Sequence, residues 1–119
     1  MKEFIKVMKA LRNPNRVKIV KMLQHGGLCF CEIQEALGIS QAGVFKHLSI
    51  LASAGMPDRR KDGLRAYYRK AASPRSPYAA ALLGNMRFRL EDDTDMKELV
   101  QKLPDIRRKN LCRRSCDET

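Results

Sequence analysis

The chain has 119 residues, with 24 Lys and Arg against 13 Asp and Glu and a formal net charge of +11. That length gives one domain with a modest core, short for an enzyme with a secluded active site, and the charge favours a polyanionic partner, nucleic acid ahead of membrane. No run of 18 apolar residues occurs, and Lys6, Lys9 and Arg12 interrupt the N-terminus where a signal peptide needs a continuous apolar stretch, so a cytoplasmic protein is expected.

Phe4, Ile5, Met8 and Leu11 recur at i, i+1, i+4 and i+7, which predicts a first helix over 3–11 with Lys2, Lys6 and Lys9 on its wet side. Asn13 suits a cap and Pro14 a first helical position, so a second helix starts there. Ile19, Val20 and Leu23 form its apolar face, and Gly26-Gly27 ends it. Cys29-Phe30-Cys31 comes next. It precedes a short helix, Glu32 to Leu37, with Ile33, Ala36 and Leu37 inward and Gly38 at a left-handed C-terminal position. Ser40 caps a further helix that presents Val44, Leu48 and Leu51 and stops near Gly55. Helix, tight Gly-containing turn and capped helix make a helix-turn-helix.

From Asp58 the period becomes two: Leu64, Ala66 and Tyr68 alternate with Arg65, Tyr67 and Arg69, and Asp62-Gly63 is a type I′ hairpin dipeptide. Arg59, Arg60, Lys61, Arg65, Arg69 and Lys70 face only Asp58 and Asp62, so this hairpin is basic enough to lie along a phosphate backbone. Ser73 to Pro77 reads as a linker. Tyr78 to Leu90 is a good helix former with Leu82, Leu83, Met86 and Leu90 on one side, and residues 95–103 form another short helix stopped by Pro104. The fold class is mainly α with a small β-hairpin. The domain spans 1–90, followed by a charged C-terminal helical extension or tail over 91–119 that carries Cys112 and Cys116.

In a reducing compartment four cysteines are thiols for binding or sensing rather than a disulfide framework, and two His are too few for a histidine-rich zinc site. Residues two apart on a helix point to nearly opposite sides, so Cys29 and Cys31 share an ion only if Cys29 precedes the helix or its first turn deforms. A helix N-terminus lowers thiol pKa, and soft thiolates suit a thiophilic ion such as As(III) or Sb(III). Cys112 and Cys116, at i and i+4, share one face if the tail is helical.

The string Leu28-Cys29-Phe30-Cys31-Glu32-Ile33, then Ala36-Leu37-Gly38-Ile39-Ser40-Gln41, Lys46-His47-Leu48 and Arg59-Arg60-Lys61-Asp62-Gly63, resembles the ArsR/SmtB family of metalloregulatory winged-helix repressors, most closely its arsenic-responsive branch. The resemblance covers about residues 4–90. It implies a winged helix-turn-helix homodimer, paired through the first and last helices, that binds double-stranded palindromic operator DNA and releases it with As(III) or Sb(III) as inducer. No organic cofactor is implied. The resemblance further implies three sulfur ligands, but Gln34 stands three residues beyond Cys31, which leaves Cys112 or Cys116, in this subunit or its partner, to supply the third. Phosphate contacts are expected from Lys46, Arg59, Arg60, Lys61, Arg65 and Arg69. Base readout falls to Gln41, Lys46 and His47, next to the Ser40 cap. For His47 a surface or intra-helix hydrogen bond is the equal alternative, and Phe45 is a thymine-methyl contact or a partly exposed packing residue. Ala42, Gly43, Phe45 and Pro57 depart from the family pattern and bear on sequence preference. Two other functions compete: a thiol redox switch formed by the same cysteines, and a winged-helix module with lost or altered DNA specificity. No catalytic constellation stands out, so an enzyme is not expected.

Overall fold

The computed structural model describes residues 1–62, 65–70, 77–87 and 89–109, the side chains of 61, 62, 65 and 66 excepted. Helix α1 (Lys2–Ala10) buries Val7 and Ala10 and leaves Phe4, Ile5 and Met8 exposed. Helix α2 (Pro14–Leu23) starts as its sequence dictates: Asn13 Oδ1 accepts the Asn15 N–H at 2.8 Å and Pro14 occupies the first turn. A two-residue strand β1 (Leu28–Cys29) leads into helix α3 (Phe30–Leu37), which begins two residues earlier than its apolar pattern. Gly38 ends α3 at φ 66° and ψ 34°, a left-handed conformation that costs a residue with a Cβ about 1 kcal/mol or more.

Helix α4 (Gln41–Ser53) is capped by Ser40, whose Oγ accepts the Gly43 N–H at 3.1 Å. Gly43 therefore lies in the first turn, not the helix interior. A Cβ there would stand 3.2 Å from that same Oγ, so glycine suits the cap. Strands β2 (Pro57–Asp62) and β3 (Arg65–Lys70) pair antiparallel from Pro57↔Lys70 to Asp62↔Arg65, and β1 joins the other side of β3 through Leu28↔Tyr68 and Cys29↔Tyr67. The order β1-β3-β2 makes β2 an edge, and Pro57, its first residue, sits where a missing N–H is tolerated. Gly63 and Leu64, at the expected turn, lie outside the described residues.

The C-terminal part differs from its pattern in two ways. Helix α5 (Pro77–Met86) stops before Leu90, which has φ 62° and is 40% exposed. Helix α6 (Thr94–Arg108), capped by Asp93 Oδ1 on the Met96 N–H, runs through Pro104 instead of stopping there. Proline inside a helix costs about 3 kcal/mol, and burying each large apolar side chain returns about 1.5–3 kcal/mol. Met96, Leu99, Leu103 and Ile106 are all buried, so packing on α2 and α3 outweighs the break. One cluster of apolar side chains from all six helices and β1 forms the core. Among the described residues no helix is long and apolar enough to cross a membrane.

Candidate DNA interface and thiol site

On α4, Val44, Leu48 and Leu51 turn into the core and leave Gln41, Phe45, Ser49 and Ser53 exposed at i, i+4, i+8 and i+12, with Lys46 beside them. Phe45 is 66% exposed. Arg59 and Arg60 on β2 and Arg69 on β3 are exposed as well, and Asp58 pairs across from Arg69. Lys61 and Arg65 stand in the two strands, with side chains outside the described residues. Between α4 and the wing runs a cleft of about 440 Å³ floored by Leu48, Pro57 and Tyr68 and rimmed by Phe45, Ser49 and Arg59.

His47 is the exception on this face. It is half-buried, and its Nδ1 lies 3.2 Å from an Arg16 guanidinium nitrogen, so the ring accepts from Arg16 within the protein. Burial, then the Arg16 and Lys46 charges, lowers its pKa below the ordinary 6.5. Arg16 also donates to the Ala10 carbonyl at 2.7 Å and the Lys9 carbonyl at 3.3 Å, closing the end of α1 onto α4. Sequence reasoning passed over Arg16, because an arginine one turn into a helix shows no sign of reaching a carbonyl six residues back.

Cys29 precedes α3, in extended conformation at φ −83° and ψ 168°, and is 1% exposed. This is the placement that lets two cysteines flanking one residue converge, and Cys31 in the first turn is half-buried. Free thiols are the expectation from the sequence; in the structure both of these cysteines are disulfide-bonded. The buried Glu32 accepts the Cys29 N–H through Oε1 at 2.9 Å and so pins the backbone that carries the sulfur. Cys29 also pairs with Tyr67 in the sheet, so one residue joins the wing, α3 and the thiol site. Among the described residues no three His, Cys, Asp or Glu side chains converge as a metal site. Cys112 and Cys116 lie outside the described residues.

Lys21 also escaped notice, although a lysine within the apolar stripe of α2 is the signal for it. It is 2% exposed, and its ammonium donates to the Met86 and Arg87 carbonyls at 3.0 and 3.4 Å and to Glu91 at 3.0 Å. It caps α5 from the side of α2.

A short helix, a capped exposed helix and a basic three-stranded wing define a winged helix-turn-helix, a DNA-binding class and not an enzyme. Residues 13–56 match the family described as "Bacterial regulatory protein, arsR family". The chain is 34% identical over 113 residues to the arsenical resistance operon repressor of Escherichia coli, covering 94% of this chain and 87% of that one. It therefore belongs to the ArsR family of DNA-binding transcriptional regulators. It is also 39% identical over 64 residues to a cadmium resistance transcriptional regulatory protein CadC homolog of Staphylococcus aureus, 53% of each chain. Like that match, several others span about half the length of the curated relatives. The solution structure of the homodimeric winged helix-turn-helix DNA-binding domain of Mb0332 from Mycobacterium bovis matches with a TM-score of 0.62 and 27% identity, over 78% of this chain and 82% of that one.

Proposed function

We propose that the chain is a cytoplasmic, homodimeric repressor that binds operator DNA through α4 and the wing and releases it when a thiophilic ion, As(III) or Sb(III), binds the reduced Cys29 and Cys31. The placement of Cys29 supports this reading: it precedes α3 in extended conformation, two residues before Cys31, and is bonded into the wing sheet. Ion binding there moves the start of α3, which packs on α4, and the strand that carries the wing. Ser40, Gln41, Phe45 and Lys46 contact bases or flanking phosphates, and Arg59, Arg60, Lys61, Arg65 and Arg69 contact phosphates. His47 orients α4 through Arg16 and does not read a base. The arsenical resistance named for the E. coli relative favours a metalloid, and the cadmium resistance named for the S. aureus relative makes Cd(II) the competitor.

Cys112 or Cys116 supplies the third sulfur. Lys109 pairs with Glu35 at 2.9 Å, and Glu35 shares the i, i+4 face of α3 with Cys31. Cys112 is three residues further on, within about 10 Å of extended chain. The disulfide bonding of Cys29 and Cys31 supports one other reading, a thiol redox switch that needs no ion.

The test is binding to a duplex selected from a random pool, titrated with arsenite, antimonite, Cd(II) and peroxide. The reduced wild type should lose affinity with arsenite by about 5- to 150-fold, the range of ordinary allosteric coupling. Cys29→Ser or Cys31→Ser should bind DNA as the wild type does and ignore arsenite, because oxygen is a poor partner for a soft ion. Release by peroxide alone would install the redox switch instead. Loss of arsenite response in Cys112→Ser or Cys116→Ser identifies the third ligand, and silence of both would remove the tail from the site.

A further inference from the structure

A second cleft, of about 520 Å³, opens on the opposite flank of α4 from the wing. Lys6 and Lys9 line it from α1, Arg12 from the turn after α1, Arg16 from α2, and Ser49, Ile50 and Ser53 from α4. Lys6 and Lys9, at i and i+3, share one face of α1 while Val7 and Ala10 enter the core, and Arg12 joins them from the turn that follows the helix. All three cations are exposed, and none has a carboxylate within ion-pair distance among the described residues. Arg16 is already committed to two carbonyls and His47, which holds α1 against α4 and keeps the cleft in shape. Cations brought together without a counter-charge around two hydroxyl donors favour an oxyanion.

The arrangement around α4 says which oxyanion. A helix in a major groove about 12 Å wide is bordered by two sugar-phosphate strands. The exposed face of α4 runs its full length, from Gln41 to Ser53, and Ser49 lies on the rim of both clefts. The wing cleft with Arg59 borders one side of that face and the α1 cleft the other. We propose that the cleft between α1 and α4 holds backbone phosphate of the DNA strand opposite the one held by the wing, with Lys6, Lys9 and Arg12 as cationic contacts and Ser49 and Ser53 as hydroxyl donors. This proposal rests on the DNA-binding reading and adds to it a second phosphate clamp.

The test uses the full chain, a random-sequence duplex and a salt titration. Each lost phosphate contact lowers the slope of log affinity against log salt by about 0.9. K6Q/K9Q/R12Q should lower the slope by about 2 to 3 per protomer, while K97Q/K102Q on α6 leaves it unchanged; thermal melts confirm that both fold. K9Q/R12Q serves if the triple variant melts early, with a drop of about 2. R59Q/R60Q on the wing reports on DNA binding itself. If the wing variant lowers the slope and the cleft variants do not, the clamp is overturned while DNA binding stands. If none lowers it, the DNA-binding reading fails and takes the clamp with it. Calorimetry with inorganic phosphate and pyrophosphate at constant ionic strength gives the other arm: tight binding lost in the cleft variants with an unchanged DNA slope assigns the cleft to a free oxyanion and overturns the proposal. A change of association state in the cleft variants, seen by sedimentation, does the same by assigning it to a second copy.

Discussion

Arg16 and His47 tie the end of α1 to the middle of α4, and the tie depends on His47 staying neutral so that Nδ1 can accept. A histidine with a pKa lowered in the fold leaves the unfolded chain binding more protons, so its contribution is complete above about pH 6.5 and fades as pH falls through the folded value. Stability from chemical denaturation should therefore drop, as pH falls below about 6.5, more in the wild type than in His47→Asn, which keeps an accepting oxygen that does not titrate. Equal slopes would show that the contact carries nothing. Phe45 makes a contrasting prediction. Exposed as it is, Phe45→Ala should leave stability within about 0.5 kcal/mol. If it reads thymine methyls, uracil-for-thymine DNA should weaken binding of the wild type and not of the variant.

Among elements, α6 departs most from what its sequence announces. Lys97, Glu98, Gln101 and Lys102 make the segment look like a charged tail, and Pro104 looks like its end, yet Leu99, Leu103 and Ile106 bury one stripe on α2 and α3. Leu103→Ala should cost about 2–4 kcal/mol, as for an ordinary core leucine, measured by urea unfolding; a loss below about 0.5 kcal/mol, the range of surface changes, would show that α6 is not part of the cooperative unit. Lys21→Met should cost about 1–3 kcal/mol, because it strips the Met86 and Arg87 carbonyls at the end of α5 of their donor. The starts of α2 and α4 were legible because each carries a capping side chain, Asn13 and Ser40, and α3 was legible from its apolar face and its stop, Gly38, though not from its start. The wing was legible from its period of two. Pro104 was misread because tertiary burial of Leu103 and Ile106, which no local spacing records, carries α6 past it, and Leu90 because α5 ends at Met86, where the buried Lys21 takes the last carbonyls. Cys29 and Cys31 stood out in the sequence. Glu32, Arg16, Lys21 and the α1 cleft did not, since each acts only through a partner brought near by folding.

At the scale of the whole molecule, Phe4, Ile5, Met8 and Tyr78 form an exposed apolar strip on α1 and α5, with Phe4 and Tyr78 edge to face at 5.3 Å between ring centroids. A second copy covering that strip accounts for it, and F4A/M8A should shift sedimentation from dimer toward monomer at micromolar concentration. A wild type that is monomeric there would remove the dimer from the function. The ties of α6 and its flanks also set an order in time. Lys21 reaches Glu91 across 70 residues, Lys109 reaches Glu35 across 74, and Arg107 reaches the His25 carbonyl across 82. A chain leaving the ribosome thus emerges with its whole helix-turn-helix while the surfaces of α2 and α3 that α6 covers remain open. Only when residue 109 clears the exit can the domain close, so a nascent chain halted at the end of the wing should be cut by protease at α2 and α3, and one halted well past 109 should resist.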